Sequence, residues 1–178
     1  MTQSTFRPIS LGEIRQYDRW MTGVGIAALT GGVVSWGIAS FYERRHKSFP
    51  FTFQGPVPGW RFFALSIIGT LGWNGIRAFD RLSPSHKWEK SDDPIADSLL
   101  FFGAGFGVMS TVCTLGSFNP MAFLTGFLGT GMNLYAFYRS SRQPSGESDQ
   151  VRKGQLLLQT SLMILSVVLM IRGARALP

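Results

Sequence analysis

Between Ser98 and Tyr138 the chain carries no charged side chain. Those roughly 41 residues would make about 60 Å of α-helix at about 1.5 Å per residue, twice the ~30 Å hydrocarbon core of a bilayer. Asn119-Pro120 lies near the middle of the run, where proline lacks a backbone donor and pushes its predecessor out of helical geometry. The run is therefore expected to fold back into two spans, over 98–118 and from Met121 to Tyr138. A soluble protein would need a polar face along each of these helices. Segments that are apolar all round have lipid as their natural solvent.

The rest of the chain repeats this pattern. Trp20 to Tyr42 holds no ionisable residue and ends sharply at Glu43-Arg44-Arg45-His46-Lys47. Residues 48–60 combine three prolines with aromatics and read as a connector at the membrane interface. Phe62 to Ile76 is a shorter span between Arg61 and Arg77, whose guanidinium groups are expected to snorkel outward. Asp80 to Asp97 is the most hydrophilic stretch. After the long uncharged run comes a basic loop from Arg139 to Lys153, then Leu156 to Ile171, the least ambiguous span of all. The fold class is all-α: a polytopic membrane protein with about five transmembrane helices and a C-terminal helical hairpin. Its segments are a polar arm (1–19), two helices with their connector (20–79), a hydrophilic loop (80–97), a third helix (98–118) and the hairpin (119–173). Ser10 with Glu13 three residues on is a capping-box pattern within the arm.

Small residues recur at helical spacing. Gly25, Ala28, Gly32 and Ser35 form a seam on the first helix; Gly103, Gly107 and Ser110 form one on the third, and Gly129 continues the pattern on the fourth. Such seams let helix backbones approach where no hydrophobic force drives association, and here they are expected to pack against partner helices. The formal charge of +7 comes from basic residues at the ends of apolar blocks. Their placement suits orientation signals and not nucleic acid. With five spans, the N-terminus and the 77–97 and 139–153 segments share one side, which holds most of the 17 Lys and Arg. That side should be matrix or cytoplasm, with the C-terminus opposite.

No catalytic constellation stands out. His46 and His86 lie in loops, so haem ligands within the bilayer are not available from histidine. Cys113 is single and rules out a disulfide framework. Asp92-Asp93 reads as a solvated acidic turn, since a divalent site wants more oxygen ligands. Asn74, Asn133, Gln155 and Gln159 are the polar groups at membrane depth, and interhelical hydrogen bonds are their expected role. The chain is expected to be no enzyme and to need no cofactor. A structural phospholipid such as cardiolipin is a candidate ligand for Arg139, Arg142, Arg152 and Lys153.

The hairpin at 119–171 resembles the hypoxia-induced-gene domain of respiratory supercomplex factors. The likeness rests on Asn119-Pro120, on LYAFYRSSR from Leu134 to Arg142, and on Lys153, Gln155 and Gln159 in register with the last three positions of that family's signature. Gln159 is identical, Lys153 conservative, and Gln155 departs. The N-terminal part is similar to the two-helix extension of the fungal factor-2-type members through Gly25 to Ala39, Glu43-Arg44-Arg45 with Phe49-Pro50, and a second helix near Trp60. The resemblance implies an accessory or assembly subunit of the mitochondrial inner membrane associated with cytochrome c oxidase or a supercomplex containing it. It implies lipid and partner contacts through Arg139, Arg142, Arg152, Lys153, Gln155 and Gln159. The third span has no counterpart in it. Alternatives are an accessory subunit of NADH dehydrogenase or ATP synthase, a translocase-family component, and a small-solute or ion transporter.

Overall fold

The computed structural model describes residues 10–45, 55–85, 88, 90–116, 120–142 and 147–175. These residues form five helices: α1 (Leu11–Arg44), α2 (Trp60–Leu82), α3 (Pro94–Gly116), α4 (Pro120–Ser141) and α5 (Glu147–Arg175). No strand occurs among them. The chain folds as an all-α membrane protein. Three stretches, Gly12–Arg44, Pro94–Leu115 and Gln150–Arg175, are long and apolar enough to cross a membrane.

The helix limits follow from local chemistry. Ser10 and Glu13 close the capping box: the Ser10 backbone amide donates to Glu13 Oε2 at 2.7 Å, and the Glu13 amide donates to Ser10 Oγ at 3.3 Å. Residues 11–19 consequently belong to the same continuous helix as the first span, and not to a separate surface arm. Pro94 opens α3 and Pro120 opens α4, the first-turn position where a missing amide costs nothing. The expected fold-back falls where α3 ends and α4 begins; Asn119 itself lies outside the described residues. The basic loop contracts from both sides, because α4 continues to Ser141 and α5 starts at Glu147. Arg152 and Lys153 are therefore helical.

Helices α2, α3, α4 and α5 form an antiparallel ring in which each packs on its sequence neighbour and α5 returns to α2. The main core joins Trp60, Phe63, Ile67 and Leu71 of α2 to Ala104 of α3 and Leu162, Met163 and Leu169 of α5. Trp60 is fully buried. The described part of the connector explains why: Gly55 and Gly59 both adopt positive φ (132° and 77°), so the chain turns tightly and lays Trp60 inward. A Cβ on Gly59 would lie 2.7 Å from the Gly32 carbonyl oxygen of α1. Residues 48–54 lie outside the described segments.

The small-residue seams are used inside the molecule. A Cβ on Gly32 would stand 2.9 Å from the Phe63 ring, and one on Gly25 would stand 3.1 Å from Thr70 Oγ1, so both glycines seat α1 on α2. Ser66 Oγ reinforces that seat by donating to the Gly25 carbonyl at 2.8 Å. Ala28 and Ser35 are half-buried on the same helix. Gly103 faces Asn133, Gly107 faces Leu71 and Met163, and Gly129 lies under Met163 with the Gly103 carbonyl 3.0 Å from where its Cβ would be. Ser110 Oγ donates to the Ala122 carbonyl at 2.6 Å, locking the α3–α4 turn. These positions build the chain's own bundle and are not free to meet a partner helix. The reason is steric: each glycine's missing side chain is already filled by a neighbour.

Helix α1 stands apart. It packs on α2 alone among the helices, apart from Trp36, whose ring lies 4.7 Å from the Arg172 guanidinium of α5. Trp20, Val24, Ile26, Val33, Val34, Ile38 and Phe41 face outward.

Candidate functional site

The antiparallel ring brings the start of α1, the end of α2, the start of α3, the end of α4 and the start of α5 to one end of the bundle. Charged residues scattered over more than a hundred sequence positions meet there. The centre is Asp97, whose side chain is fully buried. Arg81 of α2 reaches its Oδ1 through both Nε and Nη2, each at 2.8 Å. Arg152 of α5, 1% exposed, approaches the other carboxylate oxygen at 3.5 Å and pairs with Asp92 at 2.5 Å. Ser91 Oγ donates to Asp97 Oδ2 at 2.6 Å. Arg81 also donates to Gln155 Oε1 at 3.1 Å.

Two further pairs flank this centre. Asp93 is the N-cap of α3, accepting from the amides of Ile95 and Ala96 at 3.2 Å each. It also pairs with Arg139 of α4 at 3.0 Å. Burial pushes the Asp93 carboxyl up, but the Ala96 amide and the Arg139 and Arg152 guanidiniums outweigh it and hold the group below its ordinary value. On the far side, Arg77 of α2 pairs with Asp18 of α1 at 2.7 Å, and Trp73 Nε1 donates to the same carboxylate at 2.7 Å. Asp92 and Asp93 are thus parts of an ion-pair network and not a solvated turn. Arg77 does not snorkel, since its counter-ion on α1 draws it inward.

Below the charges lies a layer of amides. Gln159 of α5 donates to Asn133 Oδ1 of α4 at 2.8 Å and to the Leu100 carbonyl of α3 at 3.0 Å. Asn74 of α2 donates to Gln159 Oε1 and to the Gln155 carbonyl, each at 3.4 Å. Asn133 Nδ2 lies 2.9 Å from Met163 Sδ. One glutamine side chain thereby links all four ring helices, and the expected interhelical hydrogen bonds are present.

The residues expected to meet lipid or partner divide accordingly. Arg152 and Gln159 are internal, held by Asp92, Asp97, Asn133 and Leu100. Arg139 is half-exposed and engaged by Asp93. Gln155 is half-buried beside Arg81, and Lys153 is half-buried at the rim. Arg142 faces outward, its guanidinium 4.3 Å from the Tyr138 ring centroid. Sequence reasoning missed Asp18, Arg77, Arg81 and Asp97 as a set. The available signal was that charges of both signs occur at helix ends which a five-span topology places on one side.

Chemically, each carboxylate of the network has an arginine against it. Beside it, Asp18, Met21 and Thr22 of α1, Thr70, Trp73 and Asn74 of α2, and Val151, Gly154, Gln155 and Leu158 of α5 enclose a cleft of about 190 Å³. Compared with known proteins, the chain matches no family model, no curated sequence and no solved structure.

Proposed function

We propose that this chain is a non-catalytic accessory or assembly subunit of a mitochondrial inner-membrane respiratory complex, cytochrome c oxidase or a supercomplex containing it. The observation that carries the reading is α1, a 34-residue helix fixed to the bundle along one face and presenting a row of large apolar side chains outward. A membrane protein whose interior is closed by ion pairs and amide bonds, yet which carries one helix on its outside, is suited to pack that helix against neighbouring subunits. The oxidase assignment rests on the hairpin's resemblance to supercomplex factors. In this reading the matrix holds the charged end, and Arg142 and Lys153 remain positioned to meet anionic headgroups such as cardiolipin.

Blue-native electrophoresis of gently solubilised membranes, with mass spectrometry of the band holding this chain, tests the proposal. Migration with oxidase subunits supports it. Migration with NADH dehydrogenase or ATP synthase keeps the accessory role and discards the oxidase. Recovery as a free monomer overturns it. The buried Arg81–Asp97–Arg152 cluster favours a second reading, since intramembrane charges line solute paths in transporters. Uptake of a solute by the purified protein in liposomes would establish that reading instead.

A further inference from the structure

The cleft between α1, α2 and α5 combines features that the ion-pair network does not use. It lies beside the charged end, with Asp18 among its lining residues. Its back wall carries two hydrogen-bond donors without a partner among the described residues: the Thr70 hydroxyl and the Gln155 Nε2 amide, whose Oε1 is taken by Arg81. Its outer wall is apolar, with Val151 and Leu158 both facing outward and Met21 opposite. None of the described lining residues is basic, and the one carboxylate, Asp18, is closed by Arg77 and Trp73. Gly154 leaves the floor open, with nothing within 4 Å of where its Cβ would be.

We infer that this cleft binds the head of an uncharged membrane lipid, an ester or hydroxyl head that accepts hydrogen bonds from Thr70 and Gln155. The volume of about 190 Å³ is about six times the ~30 Å³ share of one water, yet below the ~300 Å³ of pockets that engulf a drug-sized ligand. It suits a head alone, with the tail leaving past Val151 and Leu158 into the bilayer. An anionic headgroup would find donors but no cation among the lining residues, and would sit beside the Asp18 carboxylate. The site thus discriminates by charge as well as by shape. The two donors gain from a carbonyl or hydroxyl acceptor, because the neighbouring apolar side chains Met21, Val151 and Leu158 offer none.

The experiment uses the full chain in phosphatidylcholine vesicles with photoactivatable diacylglycerol, a photoactivatable sterol, or photoactivatable phosphatidylglycerol, and maps adducts by mass spectrometry. Either neutral probe should label residues 70–74 or 151–158 and be competed by its unlabelled form. Diacylglycerol labelling identifies an ester head, sterol labelling a hydroxyl head. Gly154→Leu fills the floor without meeting a neighbour and should abolish the adduct while the thermal midpoint is kept. The near-isosteric Thr70→Val should lower labelling roughly two- to tenfold, the worth of one hydrogen bond. Equal labelling by phosphatidylglycerol at these residues, absence of labelling there by both neutral probes, or undiminished labelling in both variants would overturn the inference.

Discussion

Asp97 holds two arginines from two other helices on a single buried carboxylate. Removing one partner of a buried pair leaves the others uncompensated, a cost of about 3–5 kcal/mol, whereas an exposed pair is worth about 1 kcal/mol or less. Asp97→Ala should accordingly lower the thermal midpoint in detergent far more than Arg142→Ala, whose side chain only stacks on Tyr138. Equal shifts would mean that the cluster is not the anchor described. Asp93 acts differently, as both cap and counter-ion. Asp93→Asn keeps a capping side chain and loses the charge, while Asp93→Ala loses both and should cost about 1 kcal/mol more. Because its folded carboxyl titrates below the ordinary value of 3.8, the stability it contributes is fully present above that value. It is lost as the pH falls through the folded value, and Asp93→Asn should flatten the acid limb of the stability profile.

At the scale of the helix, substitutions of glycine separate inner from outer faces. Gly107→Leu drives a side chain into Leu71 and Met163, and Gly103→Leu displaces Asn133 from Gln159. Overpacking of this kind costs about 1–3 kcal/mol or more, and should show as a lowered unfolding midpoint of the isolated protein. Gly23 and Gly37 on α1 have nothing within 4 Å of a Cβ. Gly23→Leu and Gly37→Leu should leave the isolated protein's midpoint unchanged but weaken co-migration with its complex on native gels. Much of this level was legible in the sequence. Uncharged runs located the five helices, Pro120 the start of α4, and Asn74, Asn133 and Gln159 their polar contacts. What escaped was direction. Hydropathy marks Arg77 and Arg152 as ends of apolar blocks, where lipid would leave them snorkelling, and only tertiary packing supplies Asp18 and Asp97 as counter-ions. Nor does a glycine seam declare whether the helix that fills it belongs to the same chain.

For the whole molecule, the antiparallel order sets the two ends apart. In a background lacking Cys113, cysteines at Ser10 and Arg142 should react with an impermeant maleimide from one face of the membrane, and those at Arg45 and Arg175 from the other. Labelling of Ser10→Cys and Arg142→Cys from opposite faces would refute the five-helix order. That order has a consequence for how the molecule is made. Translation delivers α5 after α1 to α4, yet α5 carries Gln159 and Arg152. Until it arrives, Asn74 and Asn133 lack their shared amide partner, and Asp97 Oδ2 keeps Ser91 but lacks Arg152. Before α5 docks, helices α1 to α4 therefore carry polar groups that still await their partners. Docking of α5 therefore closes the polar interior of the bundle, with Gln159 as its link to the other three ring helices.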